Sequence, residues 1–231
     1  MVYRSRVVLM VSCYIFFSEM KRLEEGGIIH NGVKYFIKTS GFCCDAPARA
    51  FICQTKSYTA YYCCSKCEAK GKWKGCIVLL NIDRKARDDG SFRKKLQMEH
   101  HVGTSILDQL NIDMINSFPQ NYMHLTCLGV MRKLLWAWKK GPLTVRIGTP
   151  NVERISQRLI TIKSCIPKEF ARKPRSLDEL ARWKATELRQ FLLYTGPVVL
   201  KGILNEDVYN HFVTFHLAIR ILTSVSFSEF F

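Results

Sequence analysis

The chain has 231 residues and a formal net charge of +16, because 35 lysines and arginines stand against 19 aspartates and glutamates. Its hydrophobic content of 48% is enough for a folded core and excludes an intrinsically disordered chain. The excess of positive charge favours a polyanionic partner, most often nucleic acid, although a generally basic protein has the same balance.

Ten cysteines are spread along the chain. Their spacing is not that of a small disulfide framework, and a chain of this length does not need one. The adjacent pairs at 43–44 and 63–64 are typical of buried thiols, and one Cys-x-x-Cys motif joins Cys64 and Cys67. We therefore infer a reducing compartment.

Residues 7–17 form an apolar run that follows Arg4 and Arg6. A charged start before an apolar run resembles a signal peptide, but no clear small-x-small cleavage site follows it. The run is also too short to span a bilayer. We expect a buried element over residues 7–25, and the pattern leaves open whether it is a strand or a helix.

Turn-forming residues predict a hairpin in which Asn31 and Gly32 join Ile28-Ile29 to a strand over residues 33–39. Residues 41–45 are apolar until Asp45, which predicts the end of a buried strand. Pro47 and the small residues around it predict a chain reversal and the start of a helix.

Residues 54–100 are polar, basic and irregular. Lysines and aromatic rings alternate here, which is typical of a surface that contacts phosphates and stacks on bases. A solvated loop around a metal ion is the alternative. The lysines that we predict to contact nucleic acid are Lys66, Lys70, Lys72 and Lys74, and the rings are Tyr58, Tyr61, Tyr62 and Trp73.

From residue 104 onward the sequence is mostly helical. The predicted helices cover residues 123–140, a segment from Asn151 to near Pro167, a segment from Ser176 to about Thr195, and residues 208–222. The third begins with Ser176 and Glu179 in the spacing of a capping box, and we expect Gly196 and Pro197 to end it.

Glu187 falls inside the apolar stripe of that predicted helix, between Tyr194 and Leu180. A carboxylate that faces a core is costly unless it is paired or binds a metal ion. An ion pair with Lys184, three residues earlier on the same face, and a role in a metal site are equal alternatives.

Asp45 and Glu187 are of the residue types that build a two-metal site, in which two Mg²⁺ ions activate the attacking oxygen and stabilise the leaving one. Such a site normally needs a further acid on an earlier central strand. The acids before Asp45 are Glu19, Glu24 and Glu25, and none of them ends a convincing strand.

Cys64 and Cys67 are half of a structural zinc site, whose other ligands should be His or Cys. Candidates are His100, His101, His124 and Cys127. The spacing of His124 and Cys127 places both on one face at a helix start, and at most one of the two adjacent histidines can point at the same ion. The predicted set is Cys64, Cys67, His101 and His124, and buried thiols without metal are the alternative.

Six segments carry a family resemblance: CDAPARAFI, YYCCSKCEAKGKW, FRKKLQMEHHVGTSIL, FPQNYMHLTCLGVMRKLL, RKPRSLDELARWKATELRQFLLYTGPVVL and YNHFVTFHLAIRIL. In this order they resemble the transposase of CACTA-type (En/Spm) DNA transposons, in its animal branch. The resemblance implies an α/β fold with a partial ribonuclease-H-like core, interrupted by a zinc loop and a mainly helical insertion.

The implied segments are core strands over 1–53, the basic Cys-x-x-Cys loop over 54–103, the helical insertion over 104–175 and core helices over 176–231. In the family, three acids hold two Mg²⁺ ions that cut and join DNA. Asp45 matches the second acid and Glu187 the third. Asn121 stands where the family has Asp in its Asp-x-x-His signature, of which His124 is kept, and Cys64 and Cys67 match the family's Cys-x-x-Cys.

The family's first acid and its N-terminal DNA-binding region lie upstream of anything that matches here. We therefore expect a truncated copy that is nuclear, contacts DNA, does not interact with membranes and is inactive alone; self-association is compatible with this. The alternatives are a non-catalytic, zinc-dependent DNA-binding or interaction module, and a decayed copy that hardly folds.

Overall fold

The computed structural model describes residues 2–80 and 83–224, with side chains from residue 13 onward. The chain contains both helices and strands: about half of it is helical, and the described residues contain two small antiparallel sheets. It divides into two compact units, Met1–Asn121 and Tyr122–Phe231.

The first unit begins with α1 (Val2–Gly26), a single helix of 25 residues. Residues 7–25, for which the sequence left strand and helix open, are therefore helical. The expectation of a buried element is only partly right. Phe17 is buried, whereas Tyr14, Ile15 and Phe16 are all more than half exposed, because only one face of the helix contacts the core. Among the described helices, none combines the length and the apolar character that crossing a membrane requires.

The predicted hairpin is confirmed. Strand β1 (Ile28–His30) pairs antiparallel with β2 (Val33–Tyr35). Asn31 and Gly32 have φ values of 50° and 77°, the left-handed conformations that a two-residue hairpin turn of type I′ requires. The second strand ends at Tyr35 instead of continuing to residue 39.

Residues 41–45 are not a strand, which corrects the prediction for the segment before Asp45. The segment bonds to another loop, where the Phe42 amide donates to the Ser117 carbonyl at 2.7 Å, but it joins no ladder. The predicted helix start is confirmed by α2 (Ala46–Ile52), which has Pro47 in its first turn.

The rest of the first unit is a second two-stranded sheet, β3 (Lys72–Trp73) with β4 (Ile77–Val78), the short helix α3 (Asp89–Arg93) and two 3₁₀ turns, Met98–His100 and Ile106–Gln109. Its core contains Phe17, Cys53, Phe92, Leu107, Leu110, Ile112, Met114, Ile115 and Phe118. This core supports the loops that carry the cysteines and histidines.

All regular secondary structure in the described residues of the second unit is helical, and loops join the helices. Its elements are a π-helical segment (Met123–Met131), α4 (Arg132–Lys140), α5 (Thr149–Thr161), 3₁₀ turns at Ile162–Cys165 and Leu177–Arg182, α6 (Ala185–Gln190), a π-helical turn (Phe191–Thr195), α7 (Gly196–Leu200) and α8 (Glu206–Leu222). The most buried side chains of its core include Met131, Leu135, Ile155, Leu159, Leu180, Leu188, Leu192, Leu200 and Phe212.

The helix predicted from Ser176 to Thr195 is not continuous. Ser176 caps only the 3₁₀ turn, where its Oγ accepts from the Asp178 amide at 3.1 Å, and a new helix starts after Lys184. The predicted stop at Gly196 and Pro197 is also wrong. The chain stays helical from α6 through the π-helical turn into α7, and Thr195, directly before Gly196, has the helical φ of −86° and ψ of −32°.

The other helix predictions are closer to the structure. The segment 123–140 is helical and ends at Gly141, although its first half is π-helical. Asn151 lies inside α5 and does not cap it, since its side-chain amide donates to the Ile147 carbonyl at 3.1 Å. The last helix is confirmed, with Asn205 as its cap.

Candidate functional site

Asp45, the predicted second acid, caps α2. Its Oδ1 accepts a hydrogen bond from the Ala48 amide at 2.8 Å, and its backbone is extended with φ −71° and ψ 170°. A capping side chain satisfies one of the amides that a helix start leaves without a partner. This role explains an aspartate at this position without any metal ion.

Glu187, the predicted third acid, is 4% exposed and forms an ion pair with Arg175. The guanidinium binds both carboxylate oxygens: Nε donates to Oε1 at 2.6 Å and Nη2 to Oε2 at 3.0 Å. Two parallel charge-assisted hydrogen bonds of this kind are among the strongest that side chains form. Glu187 is therefore paired, but its partner is not the side chain of Lys184.

Lys184 contributes its backbone instead, since its amide donates to Glu187 Oε2 at 2.7 Å and its side chain is exposed. Burial raises the pKa of Glu187, but the hydrogen bonds from Arg175 and from the Lys184 amide outweigh burial and hold the pKa below its ordinary value. The carboxylate is ionised and fully engaged at neutral pH.

Arg175 is the residue that sequence reasoning missed. Besides Glu187 it binds Glu179 at 2.9 Å and the Arg182 carbonyl at 2.9 Å, so that Glu179 pairs with an arginine instead of completing a capping box. The hydrogen bond to Glu187 raises the pKa of Arg175. The sequence carries no signal for this contact, because residues 12 positions apart do not face each other along one helix.

Asp45 belongs to the first unit and Glu187 to the second. The pairing of the two acids around Mg²⁺ therefore stays a prediction. Locally, each carboxylate already has a structural partner, and a metal ion at Glu187 would have to displace the guanidinium of Arg175.

The sulfur atoms of Cys64 and Cys67 lie 3.3 Å apart. Arg87, which is 6% exposed, holds this loop: its Nε donates to the Cys64 carbonyl at 3.1 Å and its amide to the Lys66 carbonyl at 2.9 Å. Burial raises the pKa of Cys67 and of the neighbouring Cys63. The two sulfurs are close enough to be neighbouring ligands of one zinc ion. Because zinc binds cysteine as the thiolate, such binding would depend on pH.

His100 is almost completely buried beside this loop. Its Nδ1 donates to the Tyr62 carbonyl at 2.7 Å, and burial lowers its pKa to about 4, so the ring is neutral at physiological pH. The Nε2 atoms of His100 and of the predicted ligand His101 have no hydrogen-bond partner among the described residues. A histidine with Nδ1 fixed by a carbonyl and a bare Nε2 has the usual orientation of a zinc ligand.

The complete predicted zinc set is not assembled within residues 2–80 and 83–224, where no three His, Cys, Asp or Glu side chains lie close enough to hold one metal ion. His124 belongs to the second unit. It is exposed while Cys127 is 1% exposed, so the prediction that they share a face is wrong. The π-helical winding of this segment shifts residues three apart away from a common face. Zinc at Cys64 and Cys67 therefore stays a prediction from the sequence.

The four predicted lysines differ in their surroundings. Lys66 is half-buried, and its Nζ donates to the Ile115 carbonyl at 2.5 Å; burial and then the charge of Arg49 lower its pKa. Lys70, Lys72 and Lys74 are exposed. Lys66 thus stabilises the first unit, and three of the four lysines are left to contact a ligand.

These three lysines lie on or beside the hairpin of β3 and β4, which we call the lysine hairpin (residues 70–78). Lys72 pairs with Val78 and Trp73 with Ile77, and the turn passes through Gly75 at φ 77°. Trp73 is 65% exposed, and Lys70 Nζ lies 5.5 Å from the centre of the Tyr62 ring. Because side chains alternate along a strand, Trp73 projects from the face opposite to Lys72.

Comparison of this chain with protein-family models, with curated proteins and with solved structures found no match. The resemblance to CACTA-type transposases therefore stays a prediction from the sequence.

Proposed function

We propose that this chain binds DNA without cutting it, and that the lysine hairpin makes the contact. The observation that carries the proposal is the exposure of Lys70, Lys72 and Lys74 on the same hairpin as the exposed Trp73. None of the three lysines forms an ion pair within the described residues, so their charge is available to a polyanion. Exposed ammonium groups bind phosphates, and an exposed indole stacks on bases.

The proposal includes descent from a CACTA-type transposase, which rests on the six ordered segments of the sequence. The partial ribonuclease-H-like core, the nuclear location and self-association of the chain rest on the same resemblance. A zinc ion at Cys64 and Cys67 would hold the loop that precedes the lysine hairpin, and this part of the proposal rests on the Cys-x-x-Cys motif of the sequence.

The absence of cutting is supported by the state of the two matched acids. Glu187 is bound through both oxygens by Arg175 and the Lys184 amide, and Asp45 caps a helix. Coordination of Mg²⁺ by Glu187 would leave a guanidinium and an amide without their acceptor, and that penalty opposes the metal. We propose that the purified chain does not nick duplex DNA with Mg²⁺ or Mn²⁺.

The test measures the affinity for a labelled DNA duplex as a function of salt. The variant is Lys70→Gln, Lys72→Gln and Lys74→Gln together, and the control neutralises three exposed lysines of the second unit, Lys133→Gln, Lys163→Gln and Lys168→Gln. Each phosphate contact contributes about 0.9 to the slope of log affinity against log salt, so the first variant should lower the slope by about 2.7. The control carries the same net charge and should leave the slope nearly unchanged.

Equal slopes in the two variants would show that overall charge, and not the lysine hairpin, drives binding. Affinity that does not change with salt in the unmodified chain would contradict electrostatic DNA binding altogether. A thermal unfolding curve of each variant confirms that the fold is intact, which the exposure of all six lysines favours.

A further inference from the structure

A depression of about 540 Å³ lies on the second unit, where α5 meets the end of α7. Its wall includes three cationic side chains, Arg154, Arg158 and Lys201, and three apolar ones, Ile162, Val198 and Val199. The volume falls in the range of pockets that hold small organic ligands. No aspartate or glutamate lines it.

The positive charge of this depression is not neutralised within the part of the chain that the structure describes. Neither the two arginines nor Lys201 form an ion pair there. Arg154 and Lys201 are exposed, and the hydrogen bond of Arg154 is a long one of 3.4 Å, from Nη1 to Asn151 Oδ1. Three cations around one concave surface raise the local potential and attract an anion.

Arg158 is held in place for such a ligand. Its Nη1 donates to the Val199 carbonyl at 3.0 Å and to the Lys201 carbonyl at 2.6 Å, which caps the end of α7. Its Nε and Nη2 have no partner within the described residues. A guanidinium that is fixed by one nitrogen and open at the other two is already oriented to bind a phosphate through two parallel hydrogen bonds.

The apolar side chains of the depression indicate which chemical group the ligand carries besides its phosphate. Val198 is 63% exposed, and together with Ile162 and Val199 it offers a surface that inorganic phosphate alone would leave in contact with water. A flat, weakly polar ring would cover this surface while its phosphates reach the cations. We propose that the depression binds a nucleoside di- or triphosphate.

This inference goes beyond DNA binding by the lysine hairpin, because the site belongs to the other unit and takes a free nucleotide. It is tested by calorimetric titration of the full chain with ATP, and with inorganic phosphate in parallel. The variant is Arg154→Gln with Lys201→Gln, which leaves the capping residue Arg158 intact. The control, Arg220→Gln with Lys133→Gln, removes one exposed arginine and one exposed lysine elsewhere on the same unit.

We expect saturable binding of ATP that is at least about tenfold tighter than that of inorganic phosphate, because the ring adds apolar contact to the charged hydrogen bonds. The variant should weaken ATP binding by about 100-fold, since each lost charged contact contributes about tenfold. The control, and the triple variant of the lysine hairpin, should bind ATP as the unmodified chain does.

An unchanged affinity in the Arg154 and Lys201 variant would overturn the inference, as would equal affinities for phosphate and ATP or a complete lack of ATP binding. Loss of ATP binding in the triple variant of the lysine hairpin would place the nucleotide on the DNA-binding surface instead. Because DNA affinity is measured separately, failure of either proposal is distinguishable from failure of the other.

Discussion

The ion pair between Arg175 and Glu187 allows a test of whether Glu187 is a structural residue. Replacement of Arg175 by alanine leaves a carboxylate that is 4% exposed with the Lys184 amide as its donor. Breaking a buried pair in this way should lower the free energy of unfolding by about 3 kcal/mol. Glu187→Ala should cost less, about 1.5 kcal/mol, because Arg175 keeps Glu179 and the Arg182 carbonyl.

The control is Glu179→Ala, which removes the more exposed partner of the same guanidinium and should cost about 0.5 kcal/mol. Unfolding is followed in denaturant by tryptophan fluorescence in a Trp73→Phe background. The remaining tryptophans, Trp136, Trp138 and Trp183, all belong to the second unit, and Trp183 is buried next to Arg182. The signal then reports the unit that contains the ion pair.

The pH dependence of this loss has a defined sign. The folded-state pKa of Glu187 is lowered from its ordinary value of 4.5, so the pair contributes fully above that pH and loses its contribution as the pH falls through the folded pKa. The difference between the unmodified chain and Arg175→Ala should therefore shrink in acid. The structural role would be refuted if Arg175→Ala cost no more than Glu179→Ala, or if the difference were the same at pH 7 and in acid.

Two further predictions concern residues of the first unit. Metal analysis of the purified chain should find near one zinc ion per chain. The zinc should be lost in Cys64→Ser and kept in the control Cys76→Ser, which removes an exposed thiol. Equal zinc content in the two variants would contradict a zinc site at Cys64 and Cys67. Asp45→Ala should lower the free energy of unfolding by about 1 kcal/mol through loss of the cap, and Asp45→Asn by much less. Mg²⁺-dependent nicking of DNA by the unmodified chain that either Asp45 variant abolishes would instead assign this residue to catalysis.

Local signals in the sequence predicted the local parts of the structure. The Asn31 and Gly32 turn, the helix start at Pro47 and the last helix depend on residues a few positions apart, and all three are observed. The capping function of Asp45 is equally local, although the apolar residues before it indicate a strand end. A short apolar run that ends in an acid is compatible with a strand end and with a loop before a helix, and backbone pairing decides between them.

Contacts between distant residues explain what the sequence did not reveal. The partner of Glu187 is 12 residues away and across a break in the helix, so a helical wheel correctly placed the carboxylate in the core but suggested Lys184. His124 is exposed in a segment that is π-helical, and the residues of that segment carry no signal for π-helical winding. Lys66 differs from its three neighbours only because the Ile115 carbonyl lies within its reach.

The hairpin of β1 and β2 has a consequence for how the chain behaves at high concentration. Within the described residues these strands pair only with each other, so the outer edge of each still offers backbone amides and carbonyls to another extended segment. Ile29 and Phe36, which are 74% and 78% exposed, would favour such an encounter. Positive charge at Lys34 opposes it, as lysines on edge strands do in other proteins. Salt screens this charge, so resistance to edge-to-edge association should weaken as ionic strength rises.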